Sequence, residues 1–344
     1  MTKKTAAKVS VVIPNWNGID SIGACLDSLL AQTYKPRIIV VENGSKDGSL
    51  KFIQQNYPSV ELVIHKRNKG FAGGVNAGIR RAMRHHGDEF VALLNNDAVA
   101  DAHWLEHLLD DIQANTDTGI VTCKLMDQHK KHLDSTGDQY TIWGLPFPRG
   151  RGEPVSDKYD DHVQVFGASG GASLYRVSML EQIGLFDEDF FAYYEDVDLS
   201  FRAQLAGWKV RYVPEAIAYH QIGATSGKIK GFTTRQTVKN LPWLLLKNAP
   251  FSILVRVLPR FMFAYLSFII MAAARDQGYA ALMGYFQMVF LLPKKVLQRL
   301  QIQHHRKVKS SYIWNIMTHE LPPNARRLRL LFHPIKSLAK DRDH

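Results

Sequence analysis

Three observations predict an α/β fold, a Rossmann-like and mostly parallel sheet flanked by helices, with a helical, basic region appended at its C-terminal end. Strand and helix patterns alternate through the first 125 residues. Polar residues recur just past each of four strand-like runs. The charge balance then inverts: residues 1–227 hold 23 Lys+Arg against 28 Asp+Glu, whereas residues 228–344 hold 20 against 4. Two units are therefore expected, an α/β domain over 1–227 and a helical C-terminal region over 228–344.

The elements follow in order. "KVSVVIP" is a β-rich run, and "DSIGACLDSLLAQT" is amphipathic at helical spacing. "RIIVVEN" is a second strand, followed by the turn "GSKDGS" and the helical "LKFIQQNY". "VELVIHK", the glycine-entered helix "GGVNAGIRRAMRHH" and the strand "EFVALLNN" complete the series. Strand, helix, strand at this spacing means parallel pairing through right-handed crossovers. Residues 127–162 are polar, rich in Gly, Pro and His, and aperiodic, so they read as a long excursion that could flap over a site. "VQVFGASGGASLYR" resumes as a strand. A short helix, an aromatic-acidic loop, a helix ending at Gly207 and two short strands close the domain.

With 46 % apolar and 22 % charged residues in 344, the chain has the composition of a globular protein. Cys25 and Cys123 imply no disulfide framework, which fits a reducing cytoplasm. Five apolar or small residues before Pro14 are too few for a signal peptide's apolar stretch. The +11 charge suits nucleic acid or an anionic membrane. Nucleic acid is set aside, since residues 1–227 are net acidic and no reader motif occurs.

In parallel sheets ligands bind beyond the carboxyl ends of the strands. Asn15 and Asn17, Glu42 and Asn43, Arg67, Asn68 and Lys69, and Asn95, Asn96 and Asp97 occupy those four ends, enough for one nucleotide-sized site. Asp97 could equally start a turn, and Asp101 could cap the next helix. Glu195, Asp196 and Asp198 cluster at a helix start, where the macrodipole favours acids. The aromatics Phe190, Phe191, Tyr193 and Tyr194 before them could desolvate one carboxylate into a general base. His220 ends a strand. Paired with Asp97 it makes a plausible cation site, because a hard divalent ion holding a diphosphate needs only one or two protein carboxylates. A histidine ligand tilts that site toward Mn²⁺ without excluding Mg²⁺. The glycines of "RNKGFAGGVNAGI" would let backbone amides approach an anion, although close packing suffices for Gly78.

The ordered blocks "VVIPNWNG", "VVENGSKDGS", "NKGFAGGVNAGI", "LLNNDAV", "GASGGASLYR", "GLFDEDFFAYYEDVDLSFRAQLAGW" and "YHQIGATSG" resemble the family 2 glycosyltransferases, most closely those of rhamnosyltransferase type, over residues 8–227. The resemblance implies a GT-A fold and an inverting, single-displacement transfer. It makes Asp97 the metal ligand of a D-x-D-like motif, with Asn95 standing where that motif has its first acid, so the site would lean on His220. Pro14, Asn15, Asn17, Glu42, Asn68, Asn76, Asn95 and Asn96 fall at donor-binding positions, and Asp196 matches the catalytic base. The Q-x-x-R-W motif of processive members is missing, which implies addition of one or a few sugars. The implied donor is dTDP-rhamnose, with a UDP-sugar such as UDP-galactofuranose as the alternative. A non-catalytic, membrane-docked nucleotide-sugar-binding partner is the further rival.

From Leu241 the chain is apolar and basic, and its longest uninterrupted apolar run, Phe261 to Ala274, has 14 residues. That is short of the roughly 20 a bilayer span needs. Apolar faces flanked by Lys, Arg, Trp243 and Tyr265 suit a membrane interface, with "KK" at 294 and "HHRKVK" at 304 facing lipid headgroups. The rival is a helical subdomain packed on the first domain or across a homo-oligomer. The interfacial reading implies a protein on the cytoplasmic face of the cell membrane and a lipid-linked saccharide acceptor.

Overall fold

The computed structural model describes residues 8–221 and 229–321, so the expected boundary at 227/228 lies outside the described residues. The alternation is realised as β1 (Val9–Asn15), α1 (Ile22–Leu30), β2 (Arg37–Asn43), α2 (Ser49–Asn56), β3 (Glu61–His65), α3 (Gly70–Arg81) and β4 (Phe90–Leu94). Strands β3, β2, β1 and β4 lie side by side and parallel. Helix α1 buries Ile22, Cys25, Leu26 and Leu29, one helical stripe, against one face of the sheet. Helix α3 sets Ala72, Val75 and Ile79 against Val12, Ile39 and Val41 on the other. With both faces covered, β1 and β4 are continuous apolar runs rather than alternating ones.

The chain continues through β5 (Ala98–Ala100), α4 (Trp104–Ala114) and β6 (Thr118–Asp127) into the aperiodic segment. That segment has secondary structure of its own, β7 (Leu133–Ser135), β8 (Asp138–Tyr140) and β9 (Pro146–Pro148); residues 133–138 are buried, residues 146–148 border the cleft beyond the carboxyl ends of the strands, and β10 (Val163–Gln164) follows it. Each strand is too short to impose a period on the sequence. Next come β11 (Ala172–Arg176), α5 (Val177–Ile183), α6 (Glu195–Leu205) and β12 (Lys209–His220). Strand β11 runs antiparallel between β4 and β6. The two short strands expected at the end are one strand, β12, parallel to β6 with a register shift between Val213 and Ile217. Pro214 lies in the shift, where a missing N–H cannot serve the ladder.

Four helices follow: α7 (Phe232–Asn248), α8 (Phe251–Ala273), α9 (Gly278–His304) and α10 (Ser310–Ile316). Helix α7 is buried against α6, with Val238, Trp243 and Leu244 meeting Val197, Phe201 and Leu205 in a separate core. Pro242 deprives the Val238 carbonyl of its helical partner, and the Tyr265 hydroxyl donates to that oxygen instead at 2.9 Å. Lys294 and Lys295 do not face lipid. Lys295 is fully buried and pairs with Asp187 and Asp189 at 2.7 Å, while Lys294 pairs with Asp189. Lys247 bridges Asp187 and Asp198, which Arg202 and Asn248 also hold. Asp198 is thus committed to joining α6 and α7.

Candidate active site

The carboxyl ends of β1, β2 and β4 open onto a cleft of about 730 Å³. Asn15 donates to Glu42 at 2.7 Å and to Ser49, and accepts from Asn96 at 2.8 Å. The Asn96 bond exists because residue 18 is glycine: a Cβ there would lie 2.1 Å from the Asn96 amide nitrogen. Asn43 donates to Asn68 and Gly70, and its oxygen accepts from the Lys69 amide. Hydrogen bonds thereby tie the end of β4 to that of β1, β1 to β2, and β2 to the loop after β3.

Strand β12 pairs with β5, His220 opposite Ala98, which brings the histidine beside Asp97. His220 Nε2 lies 3.1 Å from Asp97 Oδ1, and Nδ1 lies 2.8 Å from Asp134 Oδ2. Arg151 pairs with the other Asp134 oxygen at 2.7 Å. Burial lowers the His220 pKa, but the two carboxylates outweigh it and hold the imidazole up to about 9. Two neighbouring ligands around a divalent cation with bonds of about 2.1 Å stand roughly 3 Å apart, which is the Asp97–His220 spacing. At neutral pH that raised pKa keeps protons on both ring nitrogens; a cation would displace the one on Nε2 while Nδ1–H stays on Asp134, the arrangement usual for metal-bound histidine. No ready-made cluster of three His, Cys, Asp or Glu ligands exists among the described residues. Asp97 and His220 therefore fit a cation completed by water and substrate oxygens.

Across the cleft stands Asp196, in the first turn of α6. Its carboxylate accepts from the Gly170 and Val197 amides at 3.0 and 2.8 Å. Burial raises its pKa, and those amides oppose the rise. Asp138 lines the same cleft; burial first, then the Asp196 charge, push it up to about 8. Glu195 is pushed well above the usual carboxylate range by burial and by Asp196. Burial thus favours the neutral forms of Asp138 and Glu195 beside Asp196, whose carboxylate form two backbone amides stabilise, the setting of a general base. The loop before α6 places Phe191, Tyr193 and Tyr194 in left-handed backbone. Asn240 of α7 clamps that loop by donating to the Phe190, Ala192 and Tyr193 carbonyls. Gly70 admits it, because a Cβ there would meet the Phe191 oxygen at 2.3 Å.

Of the residues singled out in the sequence, Pro14, Asn15, Asn68, Asn95, Asn96, Asp97, Asp196 and His220 line the cleft together. Asn17, Glu42 and Asn76 stand outside its lining. Asn17 and Glu42 tie loops by accepting from the Lys46 and Ser45 amides. Asn76 spends its amide on Phe186 and Glu188, a packing role. The glycines of α3 do not present free amides as expected: the Gly70 and Ala72 N–H groups are taken by Asn68 and the Phe191 carbonyl. A Cβ at Gly78 would strike Val12, so packing explains that residue. Asn43, expected at its strand end, lines the cleft too, whereas Asp134, Asp138 and Arg151 are the cleft and supporting groups that motif reading passed over.

A cleft on the carboxyl rim of a mixed sheet, lined by an Asp–His pair and a buried carboxylate, is the place and chemistry of a ligand site in an α/β enzyme. A family model described as "Glycosyltransferase like family 2" matches residues 6–237, and the chain belongs to that family. It is 29 % identical over 225 residues to the N-acetylglucosaminyl-diphospho-decaprenol L-rhamnosyltransferase of Mycobacterium tuberculosis, covering 59 % of this chain and 72 % of that one. Among solved structures it resembles a mannosyltransferase of Pyrobaculum calidifontis in complex with GDP-Man and Mn²⁺ (TM-score 0.51, 16 % identity, 91 % and 88 % of the two chains). It also resembles GalNAc-T7 with UDP, GalNAc and Mn²⁺ (TM-score 0.56, 15 % identity), covering 70 % of this chain but only 48 % of that one. At these identities the structures speak to the fold.

Proposed function

We propose that the protein transfers one sugar, L-rhamnose from dTDP-rhamnose, with inversion to a lipid-linked saccharide at a membrane surface. The observation that carries the reading is that Asp196, Asp97 and His220 line one cleft. The acceptor hydroxyl gives its proton to the Asp196 carboxylate as its oxygen attacks the anomeric carbon. The bond from that carbon to the donor phosphate breaks, and the nucleoside diphosphate departs with the electron pair. Asp97 and His220 would hold Mn²⁺ or Mg²⁺, which offsets charge on the leaving diphosphate. Arg151, at the cleft wall, adds a fixed positive charge. Asn68, Asn95 and Asn96 present side-chain amides to the nucleoside, Asn15 holds Asn96 in place through its own committed amide, and Asp134 orients His220. The rhamnosyltransferase relative, whose name carries a diphospho-decaprenol acceptor, supports the sugar and the lipid.

Membrane docking is supported by α8 and α9, 23 and 27 residues long and apolar enough to cross a bilayer by length and composition alone. Their exposed faces carry Leu266, Ile270, Tyr285, Phe286 and Phe290. Lys295 holds the last third of α9 on the α/β domain, and over residues 278–292 Ala281 and Met288 pack against α7, with Trp243 donating to the Met288 carbonyl, so only the outer face of this stretch is exposed. At 1.5 Å per residue those 15 residues span about 22 Å, less than the roughly 30 Å hydrocarbon core. Lying on the interface satisfies both facts.

The test incubates the full-length protein with Mn²⁺, a GlcNAc-diphosphate-lipid acceptor and, separately, dTDP-rhamnose, UDP-sugars and GDP-sugars. Acceptor-dependent nucleoside diphosphate release is expected with dTDP-rhamnose. Asp196→Asn should cut it by at least about 100-fold while nucleotide binding persists. Transfer from a UDP-sugar alone would replace the donor, and near-normal turnover in Asp196→Asn would remove the base assignment.

A further inference from the structure

A second cavity, of about 740 Å³, lies where α7 and α9 meet the aromatic loop. It shares two walls with the catalytic cleft, Phe191 and Phe232. One side carries Arg235 and Lys239, four residues apart on α7 and so on one helical face. Neither forms an ion pair with a carboxylate among the described residues. Lys239 is 6 % exposed, and its ammonium donates only to the Asp189 and Phe190 carbonyls. Arg235 donates to the Gln287 side chain at 3.1 Å. Glu188 and Asp189 also line the cavity, but both are paired elsewhere: Glu188 with Arg80, and Asp189 with Lys294 and Lys295. Burial and the Arg235 charge push Lys239 down to about 8, with Lys295 acting the same way and Asp189 and Glu195 opposing. Gln236, 5 % exposed, also lines the cavity, and its side-chain oxygen has no partner among the described residues. The opposite side is apolar, formed by Phe286, Phe290 and Leu291, with Phe290 81 % exposed on the outer face of α9.

Two like charges without counter-ions on a cavity wall call for an anion, and the apolar wall beside them calls for hydrocarbon. We propose that this cavity seats the diphosphate and first prenyl units of the lipid-linked acceptor. The phosphate oxygens rest on Arg235 and Lys239, and the chain leaves along Phe286 and Phe290 toward the membrane. Phe191 and Phe232, in edge contact with ring centroids 6.1 Å apart, form the wall between the cavity and the cleft, and the saccharide crosses at their outer rim to reach Asp196. This rests on the reading that the acceptor is lipid-linked. A bulk phospholipid headgroup shares the charge but has no reason to sit in a cavity that shares a wall with the catalytic cleft.

The test is titration of the full-length protein in detergent, without metal or donor, with farnesyl diphosphate, farnesol or inorganic diphosphate. Farnesyl diphosphate should bind at least 10-fold more tightly than either fragment. Arg235→Glu and Phe290→Asp, both at exposed side chains and outside the catalytic cleft, should each weaken it at least 10-fold. Asp97→Asn should leave it unchanged. Equal binding of inorganic diphosphate, equal displacement by phosphatidylglycerol, wild-type affinity in both surface variants, or loss in Asp97→Asn would each overturn the assignment. Because no sugar transfer enters the titration, failure of the rhamnosyl reading leaves it intact. Conversely, full turnover of a lipid-linked acceptor by Arg235→Glu would overturn the cavity and spare the transferase.

Discussion

Asp138 holds its proton to about 8 because it is buried and stands beside the Asp196 charge, with Asp134 adding to the rise and Arg151 opposing it. Below that pH it is a neutral acid beside an ionised base. Above it, a second negative charge enters the cleft that must admit an anionic donor. Donor kcat/KM should therefore fall as pH rises through about 8, and Asp138→Asn should lack that limb. An identical alkaline limb in the variant would assign it elsewhere. Asp134 acts on the cation site through His220 Nδ1. Asp134→Asn should raise the apparent Kd for Mn²⁺ about 10-fold or more, read from the metal dependence of turnover, with donor affinity at saturating metal little changed. Asp97, Asp196 and His220 were legible because each sits in a local motif with its own flanking chemistry. Asp134 was not: its bond to His220 joins residues 86 apart in a stretch with no period. Glu42 and Asn76 show the reverse, where a matching residue type lies behind the wall instead of in it.

Helix α6 works as part of a cluster. Burial raises the Asp187 and Asp198 pKa values, but Lys247, with Lys295 or Arg202, outweighs it and holds both carboxyls below the usual range. Removing one member of such a buried network leaves an uncompensated charge, at about 3–5 kcal/mol. Lys247→Ala should lower unfolding free energy by that amount in urea titration, whereas Lys294→Ala, at a half-exposed side chain, should cost under about 1 kcal/mol. Equal costs would mean that the network does not carry the α6–α7 junction. The helix itself was readable from "EDVDLSFRAQLAGW". Its clamp was not, because Asn240 reaches the loop from a helix 47 to 50 residues onward.

At the scale of the whole molecule, α7 belongs to the protein interior while α8 and α9 turn apolar side chains outward. Leu266 and Ile270 lie one turn apart on α8 and are 51 % and 69 % exposed. Burying each in lipid is worth about 1.5–3 kcal/mol. The full-length protein should sediment with phosphatidylglycerol vesicles, and Leu266→Asp with Ile270→Asp should weaken this at least 10-fold. Recovery of the unaltered protein entirely in the supernatant would refute interfacial docking.

Sequence alone determined the α/β domain, the polar carboxyl rim of its parallel strands and the inverted charge of the last third, and it singled out Asp97, Asp196 and His220, which the fold brings to one cleft. These depend on periodicity, on strand-end chemistry and on residue order, which are local. Tertiary structure decided which strand-end residues share the cleft and that Asp134 and Asp138 join them. It also decided that the lysine pair at 294 faces acids rather than lipid. Those outcomes turn on which segments meet across the fold, and burial, the force that sets each pKa and each pairing, is a property of that meeting.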